Sequence, residues 1–88
     1  IDYPKYFTPN GDGYNDTWNI STLSNQPNAK ISIFDKFGKL IQQIRPSGPG
    51  WDGSYNGKNL PSTDYWFHVN YSESGVEKIF RAHFTLKR

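Results

Sequence analysis

The chain of 88 residues contains neither cysteine nor methionine. Without cysteine, these residues cannot form a disulfide, a cysteine-ligated zinc site or a thiol nucleophile. No apolar run approaches the roughly 20 residues that a membrane-spanning helix needs, and no charged and then apolar leader opens the sequence. We therefore expect a domain held together by packing, with no membrane-spanning segment and with any export signal lying upstream of it.

An excess of charge of one sign is also missing. Ten Lys and Arg residues face eight Asp and Glu residues, which gives a net charge of +2 and an isoelectric point near 8.9. The basic residues are spread among the acidic ones, whereas a nucleic-acid-binding domain usually gathers its basic residues into a patch. We therefore expect no nucleic-acid partner.

Groups suited to catalysis are few. The two His residues fall in alternating strand patterns, and no Ser lies in a nucleophile-elbow motif, so no nucleophile can be matched with a base. Asp12 and Asp16 lie four residues apart in a turn-forming loop, which suits Asx-turns or cation binding better than the carboxylate pair of a glycosidase. The sequence therefore predicts that the domain is not an enzyme.

Aromatic and turn-forming residues are abundant instead. Six Phe, six Tyr and three Trp supply large, rigid side chains for a core, and eight Gly with six Pro imply frequent turns. This composition is typical of β structure. A chain of this length buries roughly 60–65% of the surface that its unfolded form exposes, which is enough for one domain. We therefore predict a single all-β domain over residues 1–88.

The most distinctive stretch is the polar loop from Thr8 to Trp18. Gly11 and Gly13 allow positive φ angles in quick succession, and the Asn and Asp side chains of the loop can bond their own backbone as Asx-turns. Alternate positions also match part of a calcium-binding loop. The ligands of that loop would be Asn10, Asp12, the carbonyl of Tyr14 and Asp16. Because the first carboxylate and the bidentate Glu of an EF-hand are missing, a metal-free turn and a weak calcium site both stay open.

Beyond this loop, alternating apolar residues and turn signals predict short strands. An Asn-Gly pair at positions 56 and 57 predicts a two-residue hairpin. Residues 21–28 show no apolar period and are expected to form a loop. The predicted strands are residues 1–7, 17–20, 30–34, 39–44, 64–71 and 76–86.

A tight loop of Trp51, Asp52 and Gly53 follows a cluster of Pro and Gly residues. We expect the Trp51 ring to cover one end of the core, because a lone Trp in a small β domain usually fills its interior. The alternative is an exposed indole that stacks on a sugar.

The last two predicted strands form a hairpin with an aromatic and charged outer face. If the turn closes with Tyr71 opposite Val76, Trp66 lies beside Arg81 on that face. The same register places Asp64 beside His83. Lys87 and Arg88 lie beyond the last apolar position of the strand, where packing offers little reason for basic side chains.

Five segments of the sequence together resemble the C-terminal sorting domains of type IX secretion cargo, in their type B or gliding-motility-associated class. The first is the loop with its flanking residues, TPNGDGYNDTWNI. The others are ISIFDKFGKLI from Ile31, GWDGSYN from Gly50, LPSTDYWF from Leu60 and the ending AHFTLKR from Ala82. These segments follow one another in order over nearly the whole chain.

The resemblance implies an immunoglobulin-like β-sandwich of about seven antiparallel strands, at the C-terminus of a larger exported protein. It implies that the domain directs an upstream cargo through the type IX translocon, with SprF-like outer-membrane proteins as partners. It also implies a recognition site in the terminal motif and the neighbouring outer face. That site would comprise Trp66, Arg81, His83, Phe84, Thr85, Leu86, Lys87 and Arg88.

Two alternative functions belong to other classes. A carbohydrate-binding module is also a small, aromatic sandwich, but it requires two or three coplanar exposed rings, for which Trp18, Trp51 and Tyr55 are the candidates. A passive spacer domain would work at any position in a chain, whereas a sorting domain works only at the end.

Overall fold

The computed structural model describes residues 1–13 and 15–88, and this part of the chain is almost entirely β, as predicted. One turn of 3-10 helix spans Ser21–Leu23, within the predicted loop. No helix in the described part of the chain has the length and apolar character needed to cross a membrane. The seven strands are β1 (Tyr6–Phe7), β2 (Lys30–Phe34), β3 (Leu40–Ile44), β4 (Ser54–Tyr55), β5 (Lys58–Asn59), β6 (Thr63–Glu73) and β7 (Val76–Leu86).

Five strands form one sheet in the order β1-β7-β6-β2-β3, and β4 pairs with β5 as a separate hairpin. Neighbouring strands are antiparallel except that β1 runs parallel to β7. The first strand is also shorter than the predicted residues 1–7. The carbonyl of Pro4 accepts a hydrogen bond from the Trp18 indole at 2.8 Å, and the Tyr3 ring packs on Phe67 and Phe80. The segment before β1 therefore lies against the edge of the core without forming a strand.

The turn between β6 and β7 is tighter than predicted. Glu73 lies opposite Val76, and the two turn residues, Ser74 and Gly75, have φ angles of 53° and 79°. These positive angles belong to a type I′ turn, whose twist lets both strands continue up to the turn. The predicted register is therefore wrong by two residues.

An offset of two keeps every side chain on its predicted face, because the side-chain period of a strand is two. It changes the neighbours, however. Trp66 lies opposite His83 and Asp64 lies opposite Thr85, while Arg81 faces His68. The expected pairs of Trp66 with Arg81 and of Asp64 with His83 are therefore not formed as direct cross-strand pairs.

Aromatic rings form the core on the inner face of the sheet. The Trp18 ring is stacked on Phe84, with centroids 4.0 Å apart and planes 9° apart. Trp18 belongs to no strand, although residues 17–20 were predicted to form one; it makes a single antiparallel bridge to Trp51. Trp51 is 2% exposed and touches Phe7, Tyr65 and Phe84, so its ring is buried in the core rather than exposed for stacking on a sugar.

Gly50 allows the loop before Trp51 to approach the bridge. It has a φ of +90°, and a Cβ at this position would lie 2.8 Å from the backbone oxygen of Trp18. Gly57 offers a matched comparison, because its φ is +79° but a Cβ there would meet no atom within 4 Å.

We predict that Gly50→Ala destabilises the domain more than Gly57→Ala does. Both substitutions force a side chain into a left-handed conformation, at about 1–2 kcal/mol each, but only the first also pushes backbone against backbone. The measurement is chemical denaturation of both variants. Equal losses would mean that the Trp18–Trp51 bridge can shift to make room.

Candidate functional site

The carboxylate of Asp16 organises the polar loop. Its Oδ1 accepts hydrogen bonds from the backbone nitrogens of Asn10 at 3.2 Å and Gly11 at 3.0 Å, and its Oδ2 accepts one from Gly13 at 2.7 Å. Gly11 and Gly13 each have a φ of +80°, as predicted. The side-chain oxygen of Asn10 accepts the backbone nitrogen of Asp12 at 3.2 Å. The loop is therefore held by side chains bonded to its own backbone.

These hydrogen bonds involve oxygens of the proposed calcium ligands, which are Asn10, Asp12, Tyr14 and Asp16. Tyr14 lies outside the described residues. Both oxygens of Asp16 and the side-chain oxygen of Asn10 face N–H groups, whose partial positive charge would oppose a cation at the same oxygens. The bond from Asp12 to the Asn10 side chain is an Asx-turn. An ionised carboxylate has about four lone-pair sites, so these bonds do not exclude an ion, and calcium binding stays a prediction for a metal titration to test.

We predict that Asp16→Asn lowers the melting temperature of the domain by at least about 5 °C in the presence of a chelator. The variant loses charge-assisted hydrogen bonds worth about 1–2 kcal/mol in total at this half-buried site, and 1 kcal/mol corresponds to roughly 4–8 °C in a domain of this size. Millimolar Ca²⁺ should add no more stability to the native protein than Mg²⁺ does. A calcium-specific increase that disappears in Asp16→Asn would establish a metal loop instead.

The loop of Trp51, Asp52 and Gly53 is built from local hydrogen bonds. Asp52 Oδ1 accepts the Ser54 hydroxyl at 2.6 Å and the Ser54 backbone nitrogen at 3.0 Å. The hydroxyl bond is the largest cause of a lowered pKa of Asp52; partial burial opposes it, and the charge of Arg88 adds to it. The Trp51 indole donates to the carbonyl of Ser54 at 2.9 Å, so the buried ring is also anchored through its polar atom.

Arg88 joins this loop to the end of β7. Its Nη2 donates to the carbonyl of Gly53 at 2.8 Å, its Nε donates to the carbonyl of Leu60 at 2.8 Å, and its Nη1 lies 3.5 Å from the carbonyl of Pro9. Its backbone nitrogen also donates to the hydroxyl of Ser62 at 2.9 Å. The guanidinium therefore joins the two ends of the β4–β5 hairpin, at Gly53 and Leu60, to the polar loop at Pro9.

The expectation that packing gives Arg88 no reason to be basic is therefore wrong. A planar guanidinium presents several donors in a fixed geometry and can serve three carbonyls at once, which an apolar residue cannot do. Lys87 matches the expectation better, because it is exposed and its amine lies 4.8 Å from the centre of the Tyr6 ring.

We predict that Arg88→Ala destabilises the domain by about 2 kcal/mol, because hydrogen bonds from a charged donor are lost at a partly exposed site. Lys87→Ala should lose at most about 0.5–1 kcal/mol, the strength of an exposed cation–π contact. Arg88→Lys is the matched control: it retains the charge but cannot span the carbonyls, so it should resemble Arg88→Ala in urea denaturation. Full stability of Arg88→Lys would show that charge alone is sufficient.

A cleft of about 520 Å³ lies on the outer face of the sheet, between the β2–β3 turn and the middle of β6 and β7. We call this the outer-face cleft. It is bordered by aromatic rings, imidazoles and cations. The side chains that define it here are Phe34, Lys36, Trp66, His68, Arg81 and His83.

Within the cleft, Trp66 is 41% exposed and its ring lies 6.1 Å from the ring of His83. The acidic residue at its border, Asp35, is already engaged: its Oδ1 accepts the backbone nitrogens of Phe37 and Lys39, both at 2.9 Å. In the described part of the chain, the only ion pair joins Lys78 to Glu73, at the far end of the hairpin. Within the described residues, Lys36 and Arg81 therefore form no ion pair, and the Asp35 carboxylate is the acidic group at the border of the cleft.

The predicted recognition residues separate into two groups. Trp66, Arg81 and His83 border the cleft, Thr85 is half-buried further along β7, and Lys87 and Arg88 are exposed beyond the end of that strand. Thr85 donates its hydroxyl to Asp64 at 2.6 Å. Phe84 and Leu86, by contrast, are 1% and 0% exposed, so their side chains belong to the core. A partner of the folded domain would therefore meet only the first group.

Three cleft residues were not anticipated from the sequence: Phe34, Lys36 and His68. Phe34 lies opposite Trp66 across β2 and β6, and Lys36 belongs to the turn that follows β2. The alternation of inward and outward residues along β2 and β6 does indicate that Phe34 and His68 point outward. Their pairing with the last hairpin depends on β2 being the neighbour of β6, and no local pattern specifies that order.

The rings considered for sugar binding do not form an exposed platform. Trp18 is 0% exposed and Trp51 is 2% exposed, and both indole nitrogens donate to backbone carbonyls. Tyr55 is half-buried, with the amine of Lys39 at 4.7 Å from its centre. The alternative of a carbohydrate-binding module therefore loses its two Trp candidates.

Comparison with known proteins gives one family. A family model described as CHU_C type IX secretion signal domain matches residues 1–86. No curated protein and no solved structure matches the chain. The match covers all seven strands, the polar loop and the outer-face cleft.

Proposed function

Because the chain belongs to the CHU_C family of type IX secretion signal domains, we propose that residues 1–88 are a type B C-terminal sorting domain that directs an attached upstream cargo through the type IX secretion system. The domain crosses the inner membrane with its cargo and is recognised, already folded, in the periplasm. It then passes through the outer-membrane translocon to the cell surface or the medium. SprF-like outer-membrane proteins of gliding, Bacteroidetes-type bacteria are the proposed partners.

The proposed role is non-catalytic and requires only a stable, folded surface that a partner can recognise. We propose that an immunoglobulin-like sandwich provides it, in which the five-stranded sheet is one layer and the β4–β5 hairpin, whose Tyr55 packs on the core, contributes to the other. The proposal has no need of a cofactor, and calcium at the polar loop would add stability only.

The outer-face cleft is the observation that supports a recognition site on the folded domain. Trp and Arg are the residue types most often found to dominate binding energy at protein interfaces. Here Trp66 and Arg81 are both exposed, and neither is needed to fill the core. We therefore propose that Trp66, Arg81 and His83 contact the translocon partner, with Lys87 contributing orientation at the rim.

The test is export of a reporter that carries this domain at its C-terminus, in a type IX-competent host and in one without the translocon. Export should require the translocon. The double variant Trp66→Ala with Arg81→Ala should reduce export at least about tenfold, because hot-spot truncations commonly lose 2 kcal/mol or more and 1.4 kcal/mol is tenfold. Its melting temperature should stay near that of the native domain.

Lys58→Ala is the matched surface control, because Lys58 is an exposed cation on β5, outside the cleft. It should export normally. Normal export of the Trp66 and Arg81 variant would place recognition elsewhere on the domain, whereas failure of the unmodified reporter to be exported would overturn the sorting function itself. Export of a reporter with the domain at its N-terminus would favour a passive spacer.

A further inference from the structure

The N-terminal half of β7 is an open sheet edge. β7 has two neighbours in the sheet, β6 along its whole length and β1 only at Thr85 and Leu86. In the described part of the chain, residues 76–83 therefore pair with β6 alone. Their pairing with β6 has no bulge and the edge contains no Pro, so two of the devices that usually protect an edge strand are missing, while a third, charged side chains, is present in Glu77, Lys78 and Arg81.

The backbone groups that point away from the sheet can be identified from β1. The backbone nitrogens of Thr85 and Lys87 donate outward, to the carbonyls of Lys5 and Phe7 at 2.9 and 3.0 Å. Outward-pointing groups alternate along an antiparallel strand, so those of residues 77, 79 and 81 also point outward. The Tyr3 hydroxyl donates to the carbonyl of His83 at 3.2 Å, which marks the end of the open segment.

The side chains of this segment are complementary to themselves. If a second β7 pairs antiparallel with the first and Ile79 lies on the two-fold axis, Glu77 of each copy lies opposite Arg81 of the other. Both side chains lie on the outer face, so two opposite-charge cross-strand pairs form on one surface. The Glu77 carboxylate is already held on that face, because its Oε1 accepts the Ser72 hydroxyl at 3.0 Å.

The same register brings exposed apolar groups together. Ile79 is 53% exposed and would meet its own copy across the axis, and Val76, which is 57% exposed, would lie opposite Ala82. Residues 77, 79 and 81 are those whose outward N–H and C=O groups form hydrogen-bonded pairs in this register. The outward backbone groups, the opposite charges of Glu77 and Arg81 and the exposed apolar side chains are therefore all consistent with a two-fold axis at Ile79.

We propose that the β7 edge, from Val76 to Ala82, is a self-association surface at which a second copy of this chain adds antiparallel to β7. The two five-stranded sheets then form one continuous sheet with two-fold symmetry, an isologous arrangement in which the same patch serves both copies. This surface is separate from the proposed export role, although Arg81 lies at the border of both. Glu77 and Ile79 belong to the edge and not to the outer-face cleft, so they distinguish the two.

The test is sedimentation velocity of the isolated domain over about 1 µM to 1 mM, the range expected for an interface well below the standard 1,200–2,000 Å². The native domain should shift from monomer to dimer. Glu77→Arg places Arg opposite Arg, and Arg81→Glu places Glu opposite Glu. Each should raise the dissociation constant about tenfold or more, because two attractive pairs become repulsive.

The double variant Glu77→Arg with Arg81→Glu should restore dimerisation, because it exchanges the partners and keeps the pairing. Ile79→Lys should prevent it by placing two ammonium groups at the axis, and Lys58→Glu, on β5, should have no effect. Melting temperatures verify that each variant is folded. A native domain that stays monomeric throughout, or a double variant no better than the single ones, would overturn the proposal.

Discussion

The stacking of Trp18 on Phe84 is the contact on which the rest of the domain depends. Trp18 is the last residue of the polar loop and Phe84 lies in the last strand, so this contact joins two residues that are 66 positions apart in the sequence. The Trp18 backbone exchanges two hydrogen bonds with Trp51, and its indole donates to Pro4. Trp18 therefore holds the N-terminal segment, the loop that contains Trp51 and the sheet in position relative to one another.

The two faces of the β6–β7 hairpin therefore have different roles. The inner face contributes Phe67, Val69, Phe84 and Leu86 to a core that tolerates little change, because buried apolar side chains are closely packed. The outer face does not contribute to that core, and it carries an exposed Trp beside Lys36 and Arg81, for which the described residues provide no ion pair. A terminal motif can thus contain residues for folding and residues available to a partner at alternate positions, which explains why such a motif cannot be interpreted as one site.

The polar side chains of the loops also act mainly on their own backbone. Asp16, Asp52 and Arg88 each satisfy N–H or C=O groups that the loops would otherwise leave to solvent, and each does so with a charged group, which makes a stronger hydrogen bond than a neutral one. In a domain without disulfides, such bonds restrict long connections that contain little regular structure. Charged residues in these loops are therefore poor evidence of a ligand by themselves.

Much was determined by the sequence alone: the all-β class, both long strands of the last hairpin, the Asn-Gly turn, the buried Trp51 and the resemblance to sorting domains. These depend on local alternation, turn chemistry and residue size, which act over a few positions. Only the tertiary structure decided the parallel pairing of β1, the register of β6 with β7, the three carbonyls bound by Arg88 and the placement of Lys36 and Trp66 around one cleft. The register depends on which of several possible turns the residues between β6 and β7 adopt. The other features bring together residues distant in sequence, and local patterns carry no information about which distant segment becomes the neighbour.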